Sequence, residues 1–321
     1  MLSKVAERIY WAARYLERVE STARMLAIYD TLMFDLPRQL NFGWYNLIEI
    51  NSLEESFNER YTVQDERNVV KFLIGDETNP SSVVSSLKAI RENIRTTRDV
   101  IPGDTWELVN ELSQFVQENM NQGINRRNRH EFLEQIIRAC QQIIGLWQVS
   151  MPRDKAWEML RLGQNLERAD MTTRNLDAAV AAIIQIEEDD EFAVNSHQTI
   201  WGNLLRSLNA DQPYRRAMRS SVKGGLVSRF LQADTQFPRS LSFCLEDMAT
   251  AAKALPRSEK VISDIRRLNQ TVTKGAEDTA PGPELRDVLN DLQISLQYLH
   301  FTISRTWFLN DQEAESLAVA Q

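Results

Sequence analysis

The sequence predicts an all-α fold: a multi-helix bundle of two pseudo-repeated halves, led by long helices at 2–33 and 154–186. Three observations carry that expectation. No stretch sustains the period-two alternation of apolar and polar residues that marks a half-buried strand. Only 11 glycines and 9 prolines punctuate 321 residues, which favours long helices over turn-rich β architecture. And the stretch Leu16–Leu26 returns, without a gap, 150 positions later as Leu166–Leu176.

Both copies of that stretch have the pattern of a helix seam. Val5, Ile9, Ala12, Leu16, Val19, Ala23 and Leu26 recur at alternating spacings of three and four, as do Met159, Leu162, Leu166, Ala169, Thr173 and Leu176. Small residues at Ala12, Ala23 and Ala169 allow close helix approach. The charges repeat with the seam. Glu17, Arg18, Thr22 and Arg24 are matched by Glu167, Arg168, Thr172 and Arg174, and Glu20 is answered by Asp170. Glu17, Glu20 and Arg24 lie beside the apolar stripe, whereas Arg18 and Arg168 point further round. Glu20–Arg24 and Asp170–Arg174 are acid-first pairs four residues apart, the favourable order along a helix. Two such helices could meet and exchange ion pairs about an approximate two-fold axis. Either the charges are structural ion pairs at that seam, or they line a polar pocket for an anion or a peptide carboxylate.

The remaining elements follow in order. After Pro37, residues 41–50 read as an aromatic-rich second helix, and 64–75 as a third ending near Gly75. Asn79-Pro80-Ser81-Ser82 opens a helix with Val83, Leu87, Ile90 and Ile94 inward. Its charged face carries Arg91, a basic group available to a shared pocket. Asp104 is placed to cap the helix that includes Trp106–Val116. The polar stretch 120–129, with Arg126, Arg127 and Arg129, reads as a solvated loop before a helix at 131–151. Met151-Pro152-Arg153-Asp154 opens the second long helix, and the acidic run Glu187–Glu191 marks its boundary. Further helices are expected at 192–208 and 212–219, then at 226–231 beyond the Gly224-Gly225 interruption. A helix with Pro238 in its first turn precedes those at 257–275 and 284–309, which flank a loop at 275–283. Outside the repeated stretch, similarity between the halves is faint, and the halves are expected to pack as one body, a single domain over 1–321.

Composition limits the function classes. A hydrophobic fraction of 43% and a charged fraction of 26% describe an ordinary globular chain. The net charge of −8 argues against general nucleic-acid binding, which needs a basic surface. Cys140 and Cys244 sit in apolar helical contexts and read as reduced core cysteines. The longest apolar run, Ala178–Ile184, is too short to span a bilayer, and the first residues enter an amphipathic helix at once, so a cytoplasmic protein without a membrane partner is expected. No Gly-rich phosphate loop, zinc-spaced Cys/His cluster or nucleophile elbow is present. His130, His197 and His300 are scattered, and the Glu-Arg pairs lack the histidines of a di-iron bundle. No metal, no cofactor and no catalytic residue is expected from these motifs.

At Leu16-Glu17-Arg18 and Leu166-Glu167-Arg168 the chain resembles the bacterial alpha-E family, all-helical domains with a recurrent Glu-Arg motif. Met1–Trp11, Ala89–Arg95, Pro213–Ala217 and Phe237-Pro238-Arg239-Ser240 are also similar to that family, so the resemblance runs along the whole chain. It departs where the family often has Gly-Arg: this chain has Ala13-Arg14 and Gly163-Gln164, so the second copy lacks one basic group. The resemblance implies a helical bundle associated with ATP-grasp ligase-like proteins and transglutaminase-like proteases. It therefore implies a part in ATP-dependent amide-bond formation on a peptide or amino-acid substrate, with the ATP chemistry in the partner. The candidate substrate- or anion-binding residues are Arg14, Glu17, Arg18, Glu20 and Arg24 from the first copy, Glu167, Arg168, Asp170 and Arg174 from the second, and Arg91. An autonomous acid–base enzyme and a purely structural adaptor are the alternatives.

Overall fold

Fourteen helices and no strand make up the described residues of a computed structural model: 3–35, 43–186, 193–278 and 280–308. Pro37 and the acidic run Glu187–Glu191 lie outside the described residues. The chain begins with α1 (Ser3–Asp35), and the second half begins with α8 (Lys155–Ile184). These two long helices pack against each other along the predicted seams. Leu16, Val19, Ala23, Leu26, Leu162, Leu166, Ala169 and Leu176 are all at most 1% exposed. The crossing is tightest at Gly163, where a Cβ would stand 2.2 Å from the Tyr10 carbonyl oxygen. Glycine is required here by close approach of backbones and not by a turn.

Each long helix gathers an equivalent set of partners. In the first half these are α2 (Asn46–Ile50), α3 (Glu54–Asn58), α4 (Glu66–Ile74), α5 (Val83–Arg95), α6 (Asp104–Ile124) and α7 (Arg126–Ser150). In the second they are α9 (Ala193–Ser207), α10 (Asp211–Met218), α11 (Gly224–Ala233), α12 (Leu241–Lys253), α13 (Glu259–Asp278) and α14 (Pro283–Trp307). α1 packs on α5 and α7 just as α8 packs on α12 and α14. α4 packs on α6 as α11 does on α13, and the pairs α6–α7 and α13–α14 correspond. A continuous hydrophobic core runs through both halves.

That correspondence corrects the expectation of faint similarity beyond the Glu-Arg stretch. Val69, Phe72, Leu73, Asp76, Pro80 and Ser82 recur as Val227, Phe230, Leu231, Asp234, Pro238 and Ser240, 158 positions later. The shared residues do the same work. The Val, Phe and Leu side chains are buried. Asp76 and Asp234 each fold the turn by accepting backbone N–H bonds, from Thr78 and from Gln236 and Phe237. Ser82 and Ser240 are N-caps, accepting from the amides of Ser85 and Phe243.

Several boundaries differ from expectation. The second helix begins at Asn46, after a turn at 44–45, and the expected start at 41 lies outside the described residues. Asp104 is the first residue of α6 and its side chain caps nothing. Pro238 precedes α12, which is capped by Ser240, and Gly224 lies in the first turn of α11 under the Trp201 ring, with the helix unbroken. α13 continues through Asp278, into the expected loop. The largest difference is at 120–129, where α6 runs to Ile124 and α7 starts at Arg126. The polar composition suggests a loop, but Arg129 is 1% exposed and donates to the terminal α6 carbonyls of Gly123 and Ile124 at 3.0 Å. It also pairs with Asp30 and Glu66 at 2.8 Å. The arginine thus caps one helix while joining two others, a tertiary role that composition does not report.

Candidate functional site

The repeated stretches of α1 and α8 lie side by side, antiparallel in role: each helix supplies the glutamate that the other's arginines bind. Glu167 accepts from Arg14 Nε at 2.7 Å and from Arg18 Nε at 2.5 Å, both on α1. Glu17 accepts from Arg168 Nη2 of α8 at 2.8 Å, and from the Gln164 amide at 3.4 Å. The exchange of ion pairs about an approximate two-fold axis is therefore present. Arg18 and Arg168 do not turn away from the seam; the length of the side chain carries their guanidinium groups back across it.

The acid-first pairs also form, and each reaches a further helix. Arg24 clasps Glu20 through Nε at 2.9 Å and Nη2 at 2.7 Å, and its Nη1 donates to Ser207 O, the last residue of α9, at 3.3 Å. Arg174 Nε binds Asp170 at 2.8 Å, and its Nη1 donates to Ile50 O, the last residue of α2, at 2.7 Å. Both arginines thereby satisfy a carbonyl at a helix C-terminus, where a cation also meets the negative end of the helix dipole.

One further arginine completes the network: Arg239, in the turn before α12. Its Nη1 binds Glu17 at 2.7 Å and its Nη2 binds Glu20 at 3.0 Å. In the sequence Arg239 stands at an expected helix start, in the family-like Phe237–Ser240 segment, with nothing to mark a site role. The signal that finds it is the second repeat, in which Arg239 stands at the position of Ser81. Arg91, by contrast, does not join the network. It donates to Asn110 of α6 at 2.8 Å, because its stretch of α5 faces α6.

Burial sets the electrostatics. Glu17 and Glu167 are at most 1% exposed. Burial alone raises a carboxyl pKa, but the arginines more than reverse it. Arg168 and then Arg239 hold Glu17 down to about 2, and Arg18 and then Arg14 do the same for Glu167. Both glutamates stay ionised at neutral pH, so neither is poised to exchange a proton there.

Residues 1–308 match the family described as Alpha-E, a predicted alpha-helical domain with a conserved ER motif. The chain belongs to the Alpha-E family. Glu-Arg dipeptides occur five times in this Alpha-E chain, and the two in the repeated stretches, Glu17-Arg18 and Glu167-Arg168, supply the four residues at the centre of the exchange. Curated relatives include an uncharacterized protein of Mycobacterium bovis, 21% identical over 92% of this chain. Another, from Mycobacterium tuberculosis, is 20% identical over the same share. The chain spans 36% of the length of each. No solved structure matches it.

The Alpha-E network has three kinds of neighbour. On one side Tyr10 shares a hydrogen bond with His300 Nδ1 of α14 at 2.9 Å, and the rings stack. Burial, reinforced by Arg14, pushes His300 down to about 4, so it is neutral at physiological pH. On the α12 side a cleft of about 550 Å³ is lined by Arg168, Asn165, Arg161, Asp247 and Trp157, with Arg153 stacked 3.8 Å over the Trp157 ring. On the α2 and α5 side a small cleft of about 80 Å³ lies among Arg18, Thr22, Ser81, Glu167, Asp170 and Arg174. Cys140 and Cys244 are buried free thiols, and burial pushes Cys244 up to about 12. Among the described residues no group of metal-ligating side chains stands together, and no helix is long and apolar enough to cross a membrane.

Proposed function

We propose that this Alpha-E chain acts as an accessory, non-ATPase partner of an ATP-grasp ligase-like protein in amide-bond formation or peptide modification. Its Glu-Arg network would hold a carboxylate- or phosphate-bearing substrate, or the partner itself. The observation that carries this reading is the state of the two ER glutamates. Each is buried, clasped by two arginines and ionised down to about pH 2. Such groups fix arginines in place and do not relay protons, so the chemistry left to the network is recognition of charge. The length of the curated relatives is consistent with this, since a unit of this kind makes up about a third of them and works beside further chain. The ATP-grasp partner is what the family resemblance implies.

The test is co-expression of the chain with an ATP-grasp ligase-like protein of the same organism, followed by co-purification and an assay of ATP-dependent ligation. Association at near-equal amounts, with ligation that depends on this chain, supports the proposal. Absence of association, together with turnover by the isolated chain that Glu17→Gln abolishes without unfolding it, replaces the proposal with an autonomous enzyme. A complex that forms and ligates equally well with Arg18→Ala and Arg168→Ala makes the chain a structural adaptor.

A further inference from the structure

The two halves of the ionic network differ where Arg239 stands in the second and Ser81 in the first, and a cleft lies at Ser81. In the second half the turn before α12 contributes Arg239, whose carbonyl accepts from Thr172 Oγ1 at 3.0 Å and whose guanidinium bridges Glu17 and Glu20. In the first half the matching residues are Ser81, Thr22, Glu167 and Asp170. Ser81 is too short to bridge the two acids, and all four residues line the cleft of about 80 Å³. That space takes several water molecules and is enough for a carboxylate and its α-carbon.

The groups facing the cleft have unused hydrogen-bonding capacity. Arg18 spends only Nε, on Glu167, and both its Nη nitrogens are without a partner in the protein. Thr22 is 5% exposed, and its hydroxyl, unlike that of Thr172, makes no hydrogen bond. The Ser81 hydroxyl is likewise unpaired and stands at the N-terminal end of α5, which adds a positive dipole end. Asp170 meets Arg174 firmly through Oδ2, at 2.8 Å, but its Oδ1 has only a 3.4 Å contact.

Charge selects the ligand. Among the cleft's lining residues Arg18 and Arg174 face Glu167 and Asp170, so its charges balance. A lone cation would meet Arg18 and a phosphate dianion would meet Asp170, whereas a carboxylate with a nitrogen one carbon away presents an acceptor to Arg18 and a donor to Asp170 together. We infer that this cleft binds one terminal carboxylate, from a small free amino acid or from the C-terminal residue of a peptide. Arg18, Thr22 and Ser81 hold the carboxylate, and Asp170 receives the α-nitrogen. The inference deepens the accessory role and rests on it for the ligand's part in ligation, but the binding is testable on the isolated chain.

The experiment is calorimetric titration of the purified full chain with L-alanine, the dipeptide Ala-Ala, its C-terminal amide and inorganic phosphate. Saturable binding of alanine or Ala-Ala is expected, with the amide at least about tenfold weaker, since it lacks the charge that makes a hydrogen bond strong. Binding of alanine alone identifies a free amino acid as the source, and binding of Ala-Ala alone a peptide end. Ser81→Arg, which rebuilds in this half the arrangement made by Arg239, is expected to abolish binding. Thr22→Val, which keeps the side-chain shape and covers the case of a misfolded arginine variant, is expected to weaken it about fivefold. The inference is overturned by no binding of any carboxylate, by equal binding of the acid and its amide, by binding of phosphate alone, or by binding that Thr22→Val leaves unchanged. Carboxylate binding without a ligase partner would leave this inference standing and remove only the accessory role.

Discussion

Glu17 and Glu167 are the same residue in two halves of one molecule, and they reach the same ionised state by different routes. Glu17 draws one arginine from α8 and one from the distant turn before α12, Arg168 and Arg239. Glu167 draws both, Arg14 and Arg18, from the facing helix. Gln164 stands where the first copy has Arg14, and Ser81 stands where the second half has Arg239. Each half has thus given up an arginine at a different place while keeping two around its glutamate. The desolvation of each buried carboxylate is offset by charge-assisted hydrogen bonds, which two arginines supply in either half. The requirement falls on the number of cations and not on their origin. As a result Arg239 bridges the two acids of one half, Glu17 and Glu20, and a small cleft stands in place of that bridge beside Glu167 and Asp170.

The most severe way to break this symmetry is to remove a glutamate. Glu17→Ala leaves Arg168 without its carboxylate partner and Arg239 with only Glu20. Breaking one side of a buried ion pair typically costs about 3–5 kcal/mol. A loss of about 3 kcal/mol is expected in chemical denaturation, and about 4 kcal/mol for Glu167→Ala, which strands both Arg14 and Arg18 with no second carboxylate. Equal losses, or a larger loss for Glu17→Ala, would show that the second carboxylate of Arg239 does not set the two halves apart.

Gly163→Ala acts on both halves at once. The added Cβ would meet the Tyr10 carbonyl oxygen at 2.2 Å, a backbone atom with no rotamer to change. α1 and α8 must separate, lengthening every pair in the exchange, and a cost of about 3 kcal/mol is expected, the upper part of the range for overpacking. Arg239→Ala is milder and more selective. Glu17 keeps Arg168 and Glu20 keeps Arg24, so a loss of about 2 kcal/mol is expected, the scale of a hydrogen bond to a charged group. Its more telling outcome is structural: a second cleft beside Glu17 and Glu20, visible in a crystal structure as ordered water or a bound ion between the two acids.

Much of this architecture is legible in the sequence because it rests on periodicity and on contiguous repetition. The long helices and the seam residues follow from spacing within the copies at 16–26 and 166–176, whereas spacing leaves open whether the copies touch, and the partnership of Glu17 with Arg168 comes from the structure. Arg239 does not, since nothing local marks an arginine in a turn as belonging to a glutamate 222 positions away. It becomes legible once Val69–Ser82 is laid on Val227–Ser240, where six identities survive in fourteen positions. Arg129 fails in the opposite sense. A run of arginines and asparagines has the composition of a loop, and only the tertiary structure, with Asp30, Glu66 and the end of α6 converging on one guanidinium, makes it part of a helix. Arg91 shows the limit of reading charge on a helix face, because the face turned toward α6 and the face turned toward the network differ by less than the sequence resolves.

The smallest expected effect separates the network from its aromatic flank through pH. For the glutamates the folded pKa is depressed, from 4.5 to about 2, so their contribution is complete above pH 4.5 and is lost as pH falls toward 2. His300 also has a depressed pKa, from 6.5 to about 4, but it is a base, and its neutral form is the one the fold holds beside Tyr10. Between pH 6.5 and 4 the unfolded chain binds a proton at this histidine that the folded chain refuses, so stability rises with pH across that window. Two acid-side slopes are therefore expected in a pH series of denaturation midpoints, a shallow one from 6.5 to 4 and a steeper one below 4.5. His300→Phe keeps a ring against Tyr10 and removes the titrating nitrogen. It should flatten the upper slope by a fraction of the total change and leave the lower one intact. Persistence of the upper slope in that variant would assign it elsewhere, and loss of both would show that the aromatic flank and the Glu-Arg exchange unfold as one electrostatic unit.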